Sequence, residues 1–180
     1  VNDFPLLVHH MKVTLVEASL GLGMGVILGF LVAIIMDMFV FFYKSIYPIL
    51  IITQTIPTVA IAPLLVLWLG YGILPKIVLI VLTSFFPITI GLLDGFKSAD
   101  KDALKLMKTM GATPFQNFVH IKLPSSIGYF FAGLRISVSY SIIGAVVAEW
   151  LGGFDGLGVY MTRVRKSYSF DKMFAVIFLI

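Results

Sequence analysis

Residues 110–124 read MGATPFQNFVHIKLP, a polar stretch with two prolines inside a chain whose residues are 59% hydrophobic. Gly111 suits the left-handed position that follows the end of a helix. Thr113, Pro114 and Gln116 fit the N-cap, first-turn and capping-box positions of a new helix. The stretch therefore predicts a helix end, a tight turn and a second helix start.

The longer segment 97–124 predicts two short amphipathic helices, one on each side of this turn. The first helix has an apolar face and an opposite lysine face, formed by Ala103, Met107 and Met110 and by Lys101, Lys105 and Lys108. The second has an apolar face of Phe115, Phe118 and Val119, and Pro124 is expected to end it. We expect an ordered pair outside the hydrocarbon that binds a partner protein. A hairpin that only packs on the membrane surface is the alternative.

The chain as a whole is hydrophobic enough to cross a membrane. Its mean hydropathy is +1.05, and charged residues make up 12% of it, about half the share in soluble proteins. The sequence predicts an all-α, polytopic helical bundle in the lipid bilayer, with residues 1–180 as one domain truncated at both ends. The net charge of +4 is spread over loops, which disfavours nucleic acid as a partner, and no cysteine is present to form a disulfide or a thiolate metal site.

Apolar runs of near-spanning length predict about five helices that cross or nearly cross the membrane. They lie at residues 13–36, 37–69 with breaks at Pro57 and Pro63, 73–96, 127–151, and from 173 onward. Pro87 is expected to kink the third of these. Residues 152–158 (GGFDGLG) predict a flexible loop, and residues 160–172 a basic, partly polar stretch.

Small residues at four-residue spacing mark one face of the first span. Gly21, Gly25 and Gly29 leave this face nearly bare of side chains. Such a face predicts close packing against a neighbouring helix.

Polar side chains near the 127–151 span are candidates for a translocation path. A carboxylate in a membrane segment is costly, so Glu149 is a functional candidate. Hydroxyl side chains on the same span, Ser137, Tyr140 and Ser141, could also line the path, or bond to backbone and neighbouring helices instead. Arg135 could pair with Asp94. The histidines show no metal-ligand spacing, and no metal site is predicted.

Gly111, nine intervening residues and then Ile121-Lys122-Leu123-Pro124 resemble the second half of the EAA signature of ABC importer permeases. Residues 54–72, 85–95 and 133–153 are similar to the nitrate, sulfonate and taurine branch of type I importers. Residues 148–174 look most like the corresponding part of permeases for hydroxymethylpyrimidine, a thiamine precursor. Sulfonate or taurine, nitrate and riboflavin remain open as alternative solutes.

The resemblance implies a MetI-like permease core in a bacterial cell membrane, present as a homodimer. It implies a cytoplasmic ABC ATPase that binds the segment 97–124, and an extracytoplasmic substrate-binding protein. ATP would be bound by the ATPase, with no cofactor on this chain. The implied docking residues are Asp102, Lys105, Met107, Gly111, Ala112, Thr113, Phe115, Phe118, Ile121, Leu123 and Pro124. One departure is that the family's Glu-Ala-Ala falls on Lys105, Leu106 and Met107.

Two other functional classes remain open from the residues alone. The chain carries no Gly-rich Lys-Ser/Thr phosphate loop, so it is not expected to hydrolyse ATP itself. A secondary transporter or channel could use Glu149 as an ion site. A membrane scaffold that transports nothing would need only the helix pair. The lysine and arginine counts on the two sides are nearly equal, so the cytoplasmic position of 97–124 is implied by the resemblance alone.

Overall fold

The computed structural model describes residues 4–180, and the regular elements in that part of the chain are all helical. In chain order they are α1 (Phe4–Met38), α2 (Val40–Thr53), α3 (Thr58–Leu69), α4 (Ile73–Lys97), α5 (Lys101–Thr109), α6 (Pro114–Asn117), a π-helical turn (Phe118–Lys122), α7 (Leu123–Gly152), α8 (Leu157–Lys166) and α9 (Phe170–Leu179). The predicted all-α membrane fold is confirmed.

Three helices in the described residues are long and apolar enough to cross a membrane: α1, α4 and the continuous helix Pro114–Gly152. Helices α2 and α3 could together make a fourth span, but they are bent by 101° at the break between them. Each of the two is shorter than the ~20 residues that a spanning helix needs. The described residues thus contain three or four of the about five helices expected to cross or nearly cross the membrane, and a ten-residue helix, α9, lies at the fifth predicted position.

Helix α1 packs on α4 through its glycine face. A side chain on Gly21 would place its Cβ 2.5 Å from Ile80 Cγ2, and one on Gly29 would lie 3.0 Å from the carbonyl oxygen of Phe85. Gly25 faces Ser84 in the same way. Because these positions carry no side chain, the two helix backbones approach closely, as helices in lipid do through small residues.

Helices α4 and α7 meet through a second set of glycines that the sequence analysis did not single out. A Cβ on Gly91 would lie 2.7 Å from the Tyr129 carbonyl oxygen, and one on Gly133 would lie 2.5 Å from that of Pro87. Gly95 faces Ser126 at a similar distance, 2.6 Å. Helix α4 is thus held closely on two sides, by α1 and by α7, and forms the centre of the bundle.

The two prolines expected to shape the spans leave the helices unbroken. Helix α4 continues through Pro87 from Ile73 to Lys97. Pro124 lies in the first turn of α7, where a missing N–H costs little. The π-helical turn joins α6 to α7, with the Leu123 N–H donating to the Phe118 carbonyl oxygen. The prediction that Pro124 ends the second short helix is therefore wrong, and α6 is continuous with the span.

The expected loop at 152–158 is shorter and more ordered than predicted. Helix α8 begins at Leu157 and ends at Lys166. It therefore includes the first part of residues 160–172, which were expected to form a basic, partly polar stretch. Its inner face buries Leu157, Tyr160 and Val164 together with Val176 of α9. The polar stretch is therefore an amphipathic helix packed on the bundle, with its basic residues on the outer face.

Candidate functional site

The α5–α6 pair has side-chain caps at both of its helix starts. Asp100 accepts hydrogen bonds from the Asp102 N–H at 2.8 Å and the Ala103 N–H at 3.4 Å, and so begins α5. Thr113 Oγ1 accepts from the Gln116 N–H at 3.3 Å, and the Thr113 N–H donates to Gln116 Oε1 at 2.8 Å. The predicted capping box is confirmed, and both caps use residues no more than three positions apart.

The turn between the two helices is built on Gly111. Its φ of +83° lies in the left-handed region, which an L side chain adopts only with strain. The Ala112 N–H then donates to the Met107 carbonyl oxygen at 2.9 Å and closes the end of α5. The predicted left-handed position after the first helix is confirmed.

The α5–α6 pair presents an apolar surface that the rest of the described chain leaves uncovered. Met110 and Phe115 are each 75% exposed, and Leu106 is 61% exposed. None of the residues in α5 is buried. Large apolar side chains grouped in this way on a polar surface indicate a contact with another molecule.

The predicted docking residues divide between this surface and the base of α7. The exposed members are Asp102, Lys105, Gly111, Thr113, Phe115 and Pro124. The half-buried ones are Met107, Ala112, Phe118, Ile121 and Leu123. Lys105 Nζ lies 3.0 Å from Asp102 Oδ1, so the lysine at the family's glutamate position forms an exposed ion pair within its own helix.

Three long-range contacts fasten the base of this pair to the spans. Lys122 Nζ binds Asp37 at the end of α1, with an N–O distance of 2.8 Å. Lys97 Nζ binds the Tyr43 hydroxyl of α2 at 2.6 Å. The Phe118 ring contacts that of Phe96 with 5.2 Å between centroids. No local sequence pattern indicates these pairs, because the partners are far apart in the chain.

At the opposite end of the bundle, three side chains cap the start of α8. We call His10, Thr14 and Glu149 the α8 cap cluster. The Gly156 N–H donates to His10 Nδ1 at 3.0 Å, the Leu157 N–H to Thr14 Oγ1 at 2.8 Å, and the Gly158 N–H to Glu149 Oε2 at 2.6 Å. The Thr14 hydroxyl donates to Glu149 Oε1 at 2.7 Å.

These contacts satisfy backbone donors that a helix start leaves free, and they do so in a buried place. His10 is fully buried, and Glu149 and Thr14 are each 1% exposed. Gly156 has a φ of +124°, and a Cβ there would collide with the Glu149 carboxyl group. Next to the cluster, Lys76 of α4 and Glu17 of α1 form a buried ion pair at 2.5 Å. The cluster therefore holds α1, α7 and α8 together.

The Glu149 carboxyl group is enclosed and bonded within one chain in this structure, and its role in the translocation path stays a prediction. Two of the hydroxyls make the backbone hydrogen bonds that the sequence analysis gave as the alternative. Ser137 donates to the Ser84 carbonyl oxygen of α4 at 2.5 Å, and Ser141 donates to the Val138 carbonyl oxygen of its own helix at 2.8 Å. Of the four predicted path residues, only Tyr140 is exposed and lines cavities.

The predicted pair between Arg135 and Asp94 is wrong. Both side chains are exposed, and no ion pair joins them in the described residues. Asp94 lines a cavity between α4 and α7, and Arg135 does not. Helices α4 and α7 pack closely, but they do so at other positions. The Arg135 and Asp94 side chains therefore do not pair although their helices are neighbours.

Residues 25–180 match the protein family described as "Binding-protein-dependent transport system inner membrane component". The chain belongs to this family. It is therefore a membrane-embedded permease subunit of an ABC importer. The resemblance to ABC importer permeases that rested on Gly111 and the Ile121-to-Pro124 motif is confirmed.

Two bacterial relatives are similar over nearly the whole chain. The formylaminopyrimidine transport permease protein of Halalkalibacterium halodurans is 41% identical over 171 residues, which cover 95% of this chain and 68% of that protein. A probable ABC transporter permease protein of Haemophilus influenzae is 41% identical over 175 residues, covering 97% of this chain and 71% of that one.

The fold is that of solved importer permeases. The MetNI methionine ABC transporter in an inward-facing form matches with a TM-score of 0.81 at 19% identity, covering 99% of this chain and 89% of that chain. The predicted MetI-like core is confirmed. Membership of this family implies an ATPase and a substrate-binding protein as partners.

Proposed function

We propose that this permease works as a homodimer that imports a pyrimidine precursor of thiamine, and that the α5–α6 pair binds the ATPase in the cytoplasm. The observation that carries the docking part is the exposed apolar surface of Leu106, Met110 and Phe115 on a pair of capped, ordered helices. ATP is bound and hydrolysed by the partner, and this chain needs no cofactor of its own.

The connections of the pair to the spans support a mechanical role. Helix α6 continues through the π-helical turn into α7, and only residues 98–100 separate α5 from α4. The Lys122–Asp37 and Lys97–Tyr43 contacts add α1 and α2 to the same unit. A displacement of the pair by ATPase closure would therefore reach four helices of the bundle. Solute and ATP can change the inward–outward equilibrium only by binding one conformation better than the other.

The choice of solute follows the similarity of the relatives. The formylaminopyrimidine permease shares 41% of its residues with this chain over the aligned region. The putative sulfonate permease of Bacillus subtilis shares 28%, and the riboflavin permease of Chloroflexus aurantiacus shares 29%. We therefore favour a pyrimidine over sulfonate, taurine, nitrate or riboflavin. The solute would be delivered by an extracytoplasmic binding protein.

Copurification with the cognate ATPase tests the docking surface. We expect Phe115→Ser to lose most of the ATPase that the wild type retains, because the exposed ring would fill a pocket of the partner. Phe154→Ser is the matched control, because Phe154 is 74% exposed at the other end of the bundle. Equal retention of the ATPase by wild type and both variants would show that the pair is not the docking surface.

Uptake into proteoliposomes that contain the permease, the ATPase and the loaded receptor tests the solute. Radiolabelled formylaminopyrimidine should accumulate in an ATP-dependent manner, and taurine should not. Accumulation of taurine with no uptake of the pyrimidine would overturn the proposed solute and leave the docking proposal intact.

A further inference from the structure

We infer that a groove between α4 and α7 is the site where this permease holds its solute during passage, and that it takes a small, flat, amine-bearing heteroaromatic compound. The site includes Gln54, Asp94, Tyr129 and Tyr140, and we call it the α4–α7 groove. The identity of the solute rests on the proposed function. The position of the site rests on the cavities and side chains alone.

Two cavities that share two residues make up the groove. One has a volume of about 390 Å³ and extends along α4 and α7 to Leu79 and Gly144. The other has a volume of about 410 Å³ and extends to Asp94 and Tyr129. Gln54 and Tyr140 line both cavities and lie where they meet. Each volume is in the range of small-molecule sites, and together they follow the long axes of two spans.

Of the polar side chains that line the groove, Thr53 and Thr83 donate to backbone carbonyl oxygens of their own helices, and four others are not bonded in this way. Gln54, Asp94, Tyr129 and Tyr140 make no side-chain hydrogen bond or ion pair in the described residues. Lys97, one turn after Asp94, is held by the Tyr43 hydroxyl at 2.6 Å. These groups are therefore available to a ligand, in contrast to Glu149, Ser137 and Ser141, which are bonded within the bundle.

A groove of this composition does not suit contact with lipid tails. The break between α2 and α3 lies beside Thr83 and Tyr140, near the middle of α4 and α7. Non-helical backbone at membrane depth is tolerated where protein or a water-filled cavity covers it. An unpaired carboxylate or amide facing hydrocarbon is also costly. The groove is thus expected to face water and solute, with the second copy of the proposed homodimer across from it.

The side chains specify the class of compound. Tyrosine rings stack on flat heteroaromatic rings. The Asp94 carboxylate accepts hydrogen bonds from an amino group, and the Gln54 amide can both donate to and accept from ring nitrogens and their substituents. A sulfonate or nitrate anion would be repelled by Asp94, and no lysine or arginine lines either cavity. An aminopyrimidine fits these groups, and an anion does not.

Thiol labelling tests whether the groove is an aqueous site. The chain has no cysteine, so single cysteines can be introduced without background labelling from this subunit. In the assembled complex, Tyr140→Cys should react with a trimethylammonium methanethiosulfonate at least about tenfold faster than Val138→Cys, because a charged reagent enters water and not hydrocarbon. Val138 is 42% exposed on the same helix and lies outside both cavities. Equal rates at the two positions would overturn the groove.

Transport by variants tests the solute contacts. At saturating loaded receptor, Tyr140→Ala should lower pyrimidine uptake by about tenfold, and Tyr140→Phe should lower it much less, because the phenyl ring still stacks. Asp94→Asn should also lower uptake, whereas Asp171→Asn, an exposed aspartate on α9, should not. Gel filtration and thermal unfolding of each complex exclude a folding defect as the cause.

The outcomes separate this inference from the proposed function. Wild-type uptake of the pyrimidine with unchanged uptake by Tyr140→Ala and Asp94→Asn would overturn the groove and leave the proposed function intact. Absence of pyrimidine uptake by the wild type would overturn the proposed solute and, with it, the aminopyrimidine class. Fast labelling of Tyr140→Cys, together with wild-type uptake of the pyrimidine and reduced uptake by Tyr140→Ala, would support both.

Discussion

Both ends of the bundle begin a helix with side-chain caps, but the partners and the surroundings differ. At one end Thr113 and Gln116, three positions apart, cap α6 in an exposed place. At the other end the Leu157 N–H that begins α8 donates to Thr14, 143 residues earlier, in a buried place. If the exposed cap is lost, water can take its place as the hydrogen-bond partner of the helix-start N–H group. At the buried cap, water cannot do so.

This difference assigns different tasks to the two ends. A buried donor without a partner costs its full desolvation free energy, so the α8 cap cluster contributes to holding the bundle together. An exposed cap sets local helix geometry at a cost of only about 1 kcal/mol if lost. We therefore expect changes at the cluster to reduce stability, and changes in the α5–α6 pair to reduce coupling more than stability.

The largest effect on stability is expected for Glu149→Ala. It leaves the Gly158 N–H buried without its acceptor, at about 1–3 kcal/mol, and leaves the Thr14 hydroxyl with only the His10 carbonyl oxygen, at 3.2 Å, as an acceptor. Glu149→Gln, which keeps the shape and one carbonyl oxygen, should lose less. Thermal unfolding of the purified protein measures both. If Glu149→Ala unfolds at the wild-type temperature, the α8 cap cluster does not hold the bundle together.

A smaller loss is expected for Thr14→Val, which keeps the volume and removes the hydroxyl that accepts from the Leu157 N–H. We expect about 1–2 kcal/mol of lost stability, concentrated at the start of α8. Hydrogen exchange at the Leu157 amide should accelerate. Thr14→Ser, which retains the hydroxyl, is the control and should exchange at close to the wild-type rate.

The exposed cap should matter less to the fold. Thr113→Val removes the acceptor of the Gln116 N–H and should cost about 1 kcal/mol locally. The unfolding temperature of the bundle should change less than for Thr14→Val. Thr113→Ser keeps the cap and serves as its control. A larger fall in unfolding temperature for Thr113→Val than for Thr14→Val would reverse the proposed difference between the two ends.

The smallest effect is expected for Lys105→Ala. The ion pair with Asp102 has side chains 76% and 89% exposed, and such pairs contribute about 0–1 kcal/mol. Thermal unfolding should be unchanged within error. A clear loss of stability would mean that Lys105 has a structural contact beyond this pair.

The exposed end could be predicted from the sequence because its geometry is local. Gly111, Thr113 and Gln116 act on residues only a few positions away in the chain, so the sequence pattern shows their roles. The glycine face of α1 is likewise visible as a local four-residue spacing. The buried end could not be predicted, because Glu149 meets Thr14 only after α1, α7 and α8 have packed. A carboxylate in a membrane segment is costly, so the sequence indicated that Glu149 has a special role. It did not indicate which residues Glu149 contacts, because these contacts form only after the helices have packed. The continuous helix through Pro124 depended on the π-helical turn, which has no clear sequence signal.

ATP-dependent uptake per folded transporter tests the central claim that the α5–α6 pair passes ATPase movement to the spans. It is measured in proteoliposomes with the ATPase and the loaded receptor, alongside the unfolding temperature of each complex. We expect Phe115→Ser to lower uptake about tenfold or more at an unchanged unfolding temperature, while Phe154→Ser leaves the unfolding temperature and the bound ATPase unchanged. Wild-type uptake by Phe115→Ser would contradict the central claim.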